Sequence, residues 1–285
     1  MAWTLLWLAS FVGVLGLSAA AAAQDRLFVR GGVPQMPYTE EIRAALDNFG
    51  ASLWPFSPLV HQPFIAGGRY AVAATNFCDI TPCLVVDWQG VAHPIPYAFV
   101  SIVATDPVRP RVFVQTATGG VDAVDVETGA VTPMFPASFA VVGPCHYAFS
   151  AARLFCAEGG SAPSLRVFAT GGAAGETPQV VARLPYAPYV SSLWLVTPDG
   201  SRLFARVMWD MLVLTYVATG ASLSAALPAF YNLEWDDFNE RLLVGPNPVH
   251  VGHAFTKDLA YLGSAGFPFT LTALAVSPAT GRLYV

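Results

Sequence analysis

The sequence predicts an all-β fold assembled from repeated four-stranded antiparallel units, and three observations carry that expectation. The first is a recurring pattern, arginine followed by three apolar residues or a near relative of it. It begins at Arg26 (RLFV), Arg69 (RYAV), Arg111 (RVFV), Arg153 (RLFC), Arg202 (RLFA), Arg241 (RLLV) and Arg282 (RLYV). Successive gaps are 43, 42, 42, 49, 39 and 41 residues, so seven of the thirteen arginines hold one phase across the chain. The second is that the surroundings of each arginine repeat with it. An apolar run and a turn precede it (LAVSPATG before Arg282, WLVTPDGS before Arg202, SIVATDPVRP before Arg111), and a second run with a tight turn follows, as in VDAVDVETGAV from Val121 to Val131. The third is composition: 54% of the 285 residues are hydrophobic and only 12% charged, and 24 Gly with 23 Pro argue against a helical bundle. Four short strands in a unit of about 40–45 residues are the signature of a β-propeller. A blade has two apolar faces, so it is stable only when stacked between neighbours, and a ring of blades provides that.

The elements follow in chain order. Residues 1–24 carry no charged side chain; Leu5 to Leu17 is a continuous apolar run, and Ala21-Ala22-Ala23 meets the A-x-A requirement of a signal peptidase. Residues 1–23 are therefore expected to be a secretory signal peptide, with an uncleaved anchor as the rival reading because the run is long enough to span a bilayer. Removal of that segment leaves no further membrane span, and the mature chain from residue 24 is expected to be secreted, periplasmic or held at the cell surface. Within each unit, strand a precedes the arginine, strand b starts with it, and strands c and d follow. Thr39 to Phe49 imitates a capped helix, with Glu40 and Glu41 in its first turn. The repeat phase nevertheless assigns Ile42 to Asp47 to strand c, because a phase kept over the whole chain outweighs periodicity over eleven residues.

The four cysteines fit an oxidising compartment. Cys78 and Cys83 enclose the turn formers Asp79, Thr81 and Pro82, while Cys145 and Cys156 flank a hairpin. Four cysteines allow three pairings, and the two local ones match the spacing of adjacent antiparallel strands. Zinc is the competing reading, and neither pair has the C-x2-C spacing it favours. Counting strands gives six a strands and six b-c-d sets, with RLYV at 282–285 left as the start of a seventh unit. The expectation is a C-terminally incomplete sequence whose full version closes seven blades; a closed ring of six is the alternative.

The strings LAVSPATGRLYV, TPDGSRLFA and RVFVQTATGGVDAVDVETGAV resemble the YVTN-type β-propeller repeat, a cousin of the WD repeat. The resemblance spans residues 26–285, departs from the pattern at the long fourth gap and after RYAV and RLLV, and implies a fold rather than an activity.

Composition narrows the function. The net charge is −5 and Lys257 is the single lysine, so a nucleic-acid-binding surface is not expected. No G-x-S-x-G elbow, H-E-x-x-H or Walker A motif occurs, and no G-x-G-x-x-G opens a helix. In this topology the d–a and b–c connections emerge together at the mouth of the central channel. His61 and His93 are expected in d–a segments and His250 and His253 in the b–c segment of the sixth unit, where neutral imidazoles near acids could hold a divalent metal or act as a base. The bland reading is ordinary hydrogen-bonded loop histidines. Trp209 and Asp210, with Arg206 beside them, belong to one b–c hairpin and repeat nowhere else, which makes them the ligand-binding candidates. Proline–aromatic pairs such as Trp54-Pro55-Phe56, Pro96-Tyr97 and Phe267-Pro268-Phe269 recur in every d–a connection, so they are expected to wedge blades together rather than bind. Glu234, Asp236, Asp237 and Glu240 are assigned to an a–b turn, with a solvated turn preferred to a calcium site. The leading expectation is a non-catalytic binding module for a protein, glycan or small molecule. The alternatives are a lactonase-like or other hydrolase at the channel mouth and, without a supporting residue, a quinone-dependent oxidoreductase.

Overall fold

The computed structural model describes residues 27–33, 39–45, 52–56, 64–66, 70–73 and 84–87, then 91–266 apart from 98–100, 159–163, 186–192, 208–209, 247–250 and a few single positions, and finally 275–276 and 283–284. Every regular element among them is a β-strand. Unit one has β1 (Leu27–Val33), β2 (Thr39–Ala45) and β3 (Ser52–Phe56); unit two has β4 (Phe64–Ala66), β5 (Tyr70–Ala73), β6 (Leu84–Asp87) and β7 (Ala92–Pro94). Unit three comprises β8 (Ser101–Asp106), β9 (Arg111–Gln115), β10 (Val121–Asp125) and β11 (Val131–Phe135). Unit four comprises β12 (His146–Ala148), β13 (Arg153–Glu158), β14 (Ser164–Thr170) and β15 (Gln179–Pro185). Unit five comprises β16 (Trp194–Val196), β17 (Arg202–Val207), β18 (Met211–Tyr216) and β19 (Ser222–Ala226). Unit six comprises β20 (Phe230–Asp236), β21 (Arg241–Pro246), β22 (Val251–Thr256) and β23 (Tyr261–Gly266), and β24 (Ala275–Val276) with β25 (Leu283–Tyr284) begins a seventh.

Units two to six are four-stranded antiparallel meanders in the order a-b-c-d, and unit one shows b-c-d. The a strands β4, β8, β12, β16, β20 and β24 lie beside one another in succession, so they form the inner wall and the d strands the outer rim. This is a β-propeller. β24 pairs with β25, Ala275 opposite Tyr284, and not with β1, which agrees with a seventh unit and not with a six-blade ring closed through unit one. The segment that imitates a helix is strand β2, with Arg30 opposite Ile42, as the repeat phase requires.

The packing explains the repeated sequence. In units three to five the centre of strand b is packed on both faces, and Val112, Phe113, Val114, Leu154, Phe155, Cys156, Leu203, Phe204 and Ala205 are all 0% exposed. The d strands of units five and six show the opposite pattern, since four of the five residues of β19 and five of the six of β23 are exposed. The repeated arginine secures the a–b turn and the next unit. Arg111 donates from Nη2 to Asp106 (2.8 Å) and to the Tyr147 hydroxyl of unit four (2.7 Å). Arg241 donates to Asp236 (2.7 Å), and Arg202 reaches across to Asp258 of unit six (2.9 Å). Asp106 also accepts from the backbone of Val108 (3.0 Å) and Arg109 (3.1 Å), which closes the turn. The arginine at this phase therefore belongs to the scaffold.

Two residues immediately before that arginine adopt the left-handed conformation, Ala152 with φ 52° and Glu240 with φ 49°. A side chain there is strained, whereas glycine is not. Ala152→Gly is expected to raise stability by on the order of 0.5–1 kcal/mol, after the larger backbone entropy of glycine is deducted. A lower urea midpoint would contradict this.

Cys145 and Cys156 form a disulfide that joins the start of strand a to strand b of unit four, Cα–Cα 4.5 Å, with both residues buried. Cys145 also donates its backbone N–H to Val103 of unit three (2.8 Å), so the bridge sits against the neighbouring blade. The pairing expected from sequence is confirmed here, and Cys78 and Cys83 lie outside the described residues. Replacing both Cys145 and Cys156 by alanine is expected to cost about 2–3 kcal/mol through the released loop entropy of the unfolded chain. Urea unfolding of this variant against the parent checks the figure.

Candidate functional site

The candidates of unit five separate. Trp209 lies outside the described residues. Arg206 lies in β17 and is 5% exposed; its Nη1 donates to the Phe230 carbonyl at 2.6 Å, so the guanidinium fastens unit five to the inner strand of unit six. Asp210 is exposed in the β17–β18 turn, where its carbonyl accepts the Leu227 N–H (2.7 Å). The b–c hairpin expected from sequence is present, with Asp210 at its solvent face.

Of the four histidines named from sequence, His61 and His250 lie outside the described residues. His93 sits within outer strand β7, opposite Val85, rather than in a d–a connection. His253 sits within β22, opposite Val244 and Ser264, rather than in a b–c connection, because β22 starts at Val251, earlier than periodicity implied. These two are in units two and six. No group of three or more His, Cys, Asp or Glu side chains comes together among the described residues.

His253 has a distinctive environment. Its Nδ1 is enclosed with no hydrogen-bond partner, its ring lies 6.1 Å from that of Tyr261, and burial lowers its pKa, so the imidazole is neutral at pH 7. Beside it is a cavity of about 350 Å³ lined by Arg241, Leu243, Gly252, His253, Leu262 and Ser264 among others. Small residues open this space: Gly263 has φ 147°, and the β22–β23 register shifts between Ala254 and Phe255. On the rim, β23, which lines the cavity, exposes Tyr261 (57%) and Leu262 (55%), and β19 of the neighbouring unit exposes Leu223 (46%).

The acidic cluster divides differently from the sequence assignment. Glu234 and Asp236 belong to inner strand β20, and only Asp237 and Glu240 occupy the turn. Asp236 is 0% exposed and accepts from Asn239 Nδ2 (2.7 Å) and Arg241 Nε (2.7 Å), so its oxygens are engaged within the a–b turn.

The repeated aromatics that can be described serve the ring. Phe230 is buried between units five and six, and Tyr97 donates its hydroxyl to Asp122 of unit three. That hydrogen bond, with burial and the carboxylate charge, raises the Tyr97 pKa to about 12. Trp54, Pro55 and Phe56 fall inside β3 rather than in a connection.

One buried group escaped the sequence reading. His146 opens inner strand β12, its ring meets that of Trp194 edge-on at 4.5 Å, and neither His146 Nε2 nor Trp194 Nε1 has a hydrogen-bond partner. Burial lowers the His146 pKa to about 4, a shift only partly offset by a hydrogen bond to the Trp194 backbone. No sequence signal marked it: at the matching position, seven residues before the repeated arginine, units three and five carry Ala104 and Leu195 and unit six carries Glu234.

These observations define a class, a β-propeller of four-stranded blades whose outer rim is exposed on units five and six. No protein-family description and no curated protein matches the sequence. Among solved structures, the chain is similar to TolB from Acinetobacter baumannii, at 10% identity and a TM-score of 0.57 over 82% of this chain and 61% of that one. It is also similar to BamB from Moraxella catarrhalis, at 17% identity and a TM-score of 0.53 over 87% of this chain and 75% of that one. The chain thus spans less than two thirds of TolB. At these identities the likeness concerns the fold. Among the described residues no helix is long and apolar enough to cross a membrane.

Proposed function

We propose that this chain is an exported β-propeller with YVTN-type repeats that serves as a binding module for a protein partner. The observation that carries the reading is the rim of units five and six. There, two outer strands without a charged residue expose Leu223, Tyr261 and Leu262, and the second of them, β23, also lines a cavity of about 350 Å³ within unit six. Apolar side chains exposed on neighbouring outer strands that carry no charge mark an interaction surface. Export to the periplasm or beyond is supported by the charge-free apolar run within residues 1–23, which ends in Ala21-Ala22-Ala23, and by the Cys145–Cys156 disulfide.

The test is photo-cross-linking in extracts of the protein's source, from a photoreactive residue placed in turn at exposed positions of each outer strand, with the cross-linked positions mapped. Cross-links concentrated on 222–226 and 261–266 support the reading. Their absence from both strands contradicts it.

A hydrolytic reading has one observation on its side, the neutral His253 imidazole opposite Ser264 and next to the cavity. Turnover of a lactone or ester, lost in His253→Ala and Ser264→Ala, would establish it. The proposed metal at His61, His93, His250 and His253 is tested by metal analysis of the purified chain, where one tightly held divalent ion lost on replacing His253 would support it.

A further inference from the structure

The outer strands differ in how they are guarded. A sheet edge presents backbone groups that template pairing with another chain, and natural edges are blunted by proline, charge, bulges or shortness. β3 holds Pro55 and a register shift against β2; β7 is three residues long and ends in Pro94. β11 holds Pro133 and a shift, β15 holds Arg183, Pro185 and a shift, and β23 pairs across a shift. β19 alone among these six has no proline, no charge and no shift. It pairs with β18 without interruption from Met211↔Ala226 to Thr215↔Ser222.

The geometry of that edge can be read from its ladder. Tyr216 N–H donates to the Ala221 carbonyl (2.9 Å) and Leu227 N–H to the Asp210 carbonyl (2.7 Å), one at each end. Antiparallel alternation then turns the backbone groups of Leu223 and Ala225 inward to β18 and those of Ser222, Ser224 and Ala226 outward. On the side chains, Leu223 and Ala225 share one face of the strand and the hydroxyls of Ser222 and Ser224 the other, Ser222 held by Thr215 at 3.0 Å. All five residues except Ala225 are exposed.

We infer that β19 is the docking edge for an extended, uncharged segment of a partner protein, which adds to unit five as a fifth antiparallel strand. This rests on the binding-module reading and names where and how the partner binds. Main-chain hydrogen bonds from Ser222, Ser224 and Ala226 supply the attachment, and alternation of apolar with small or hydroxyl side chains in the partner matches the two faces of β19. The occupant is a different protein rather than a second copy of this chain. Two five-residue strands paired edge to edge fall well short of the roughly 1,200–2,000 Å² that a stable interface buries, and the net charge of −5 opposes self-association.

The test uses the mature chain and a fluorescent peptide copying Met211–Tyr216, the natural antiparallel complement of β19, with a lysine tail for solubility. Binding is expected to slow amide exchange at Ser222, Ser224 and Ala226 while leaving Leu223 and Ala225 unchanged. Leu223→Lys places a guarding charge on the edge, and Ser224→Pro removes an outward N–H without breaking the β18 ladder; each is expected to weaken binding by about tenfold or more. Unchanged exchange at saturating peptide, or binding that survives both folded variants, overturns the inference. A dimer of the chain abolished by Leu223→Lys overturns it in favour of a second copy. A partner that protects β23 but not β19 overturns it while leaving the binding-module reading intact.

Discussion

Phe204→Ala is expected to lower stability by about 3–5 kcal/mol, the cost of truncating a fully buried aromatic and leaving a cavity. Phe204 is 0% exposed in β17 and packs among Leu195, Leu212, Leu214, Phe230, Leu242, Val244 and Phe255, with its ring stacked on Trp235 at 6.1 Å. These residues come from units five and six, so the side chain is a joint between blades rather than part of one blade's interior. Leu223→Ala, on the exposed strand of the same unit, is expected to fall within about 0.5 kcal/mol of the parent. Urea unfolding of the two variants measures the contrast. A similar loss at both positions would contradict the radial arrangement of unit five, in which burial peaks at strand b and falls away at strand d.

Acidification is expected to weaken the fold by about 3 kcal/mol between pH 6.5 and pH 4 through His146 alone. Its folded pKa is near 4 because the ring is enclosed between units four and five, against 6.5 for the exposed group. In that window the unfolded chain binds the proton and the folded chain does not, so stability falls as pH falls and levels off below the folded pKa. Full stability from this group is present above pH 6.5. Nε2 has no acceptor nearby, so the added proton gains no hydrogen bond in compensation. His146→Phe keeps the edge contact with Trp194 and removes the titration. The difference in stability between variant and parent should therefore move by about 3 kcal/mol in the variant's favour from pH 7 to pH 4. A pH-independent difference would show that His146 is hydrated or paired in solution.

The fold was legible because its evidence is redundant. The arginine phase, the turns before it and the glycine turns after it point to the same four-stranded unit. The structure supplies their cause in the Arg111–Asp106 and Arg241–Asp236 pairs and in Gly129 and Gly220, at φ 71° and 70°. The same redundancy placed β2 as a strand despite its helical pattern, since tertiary pairing with β1 overrides local periodicity.

The candidate site was less legible, for a physical reason. Assigning His93 and His253 to connections needed strand ends to within a residue or two, and strands β7 and β22 extend through both positions. Arg206 looked like a ligand contact from its hairpin neighbours, yet its guanidinium turns toward Phe230, a direction set by strand parity and the adjacent blade. His146 was passed over because only packing reveals that its ring is enclosed against Trp194. The open edge at β19 was present in the string SLSAA, which lacks the proline or charge found in most other outer strands. Its meaning emerged once every d strand could be compared as an edge.

The most direct measurement of the central claim is residue-resolved hydrogen exchange of the mature chain, alone and with its cross-linked partner. The account expects slow exchange in the three inner strands of each unit, faster exchange in β11, β19 and β23, and partner-dependent protection confined to 222–226 and 261–266. Protection centred on the β17–β18 turn around Asp210, with the rim unchanged, would contradict the rim as the binding surface and return the search to the channel mouth.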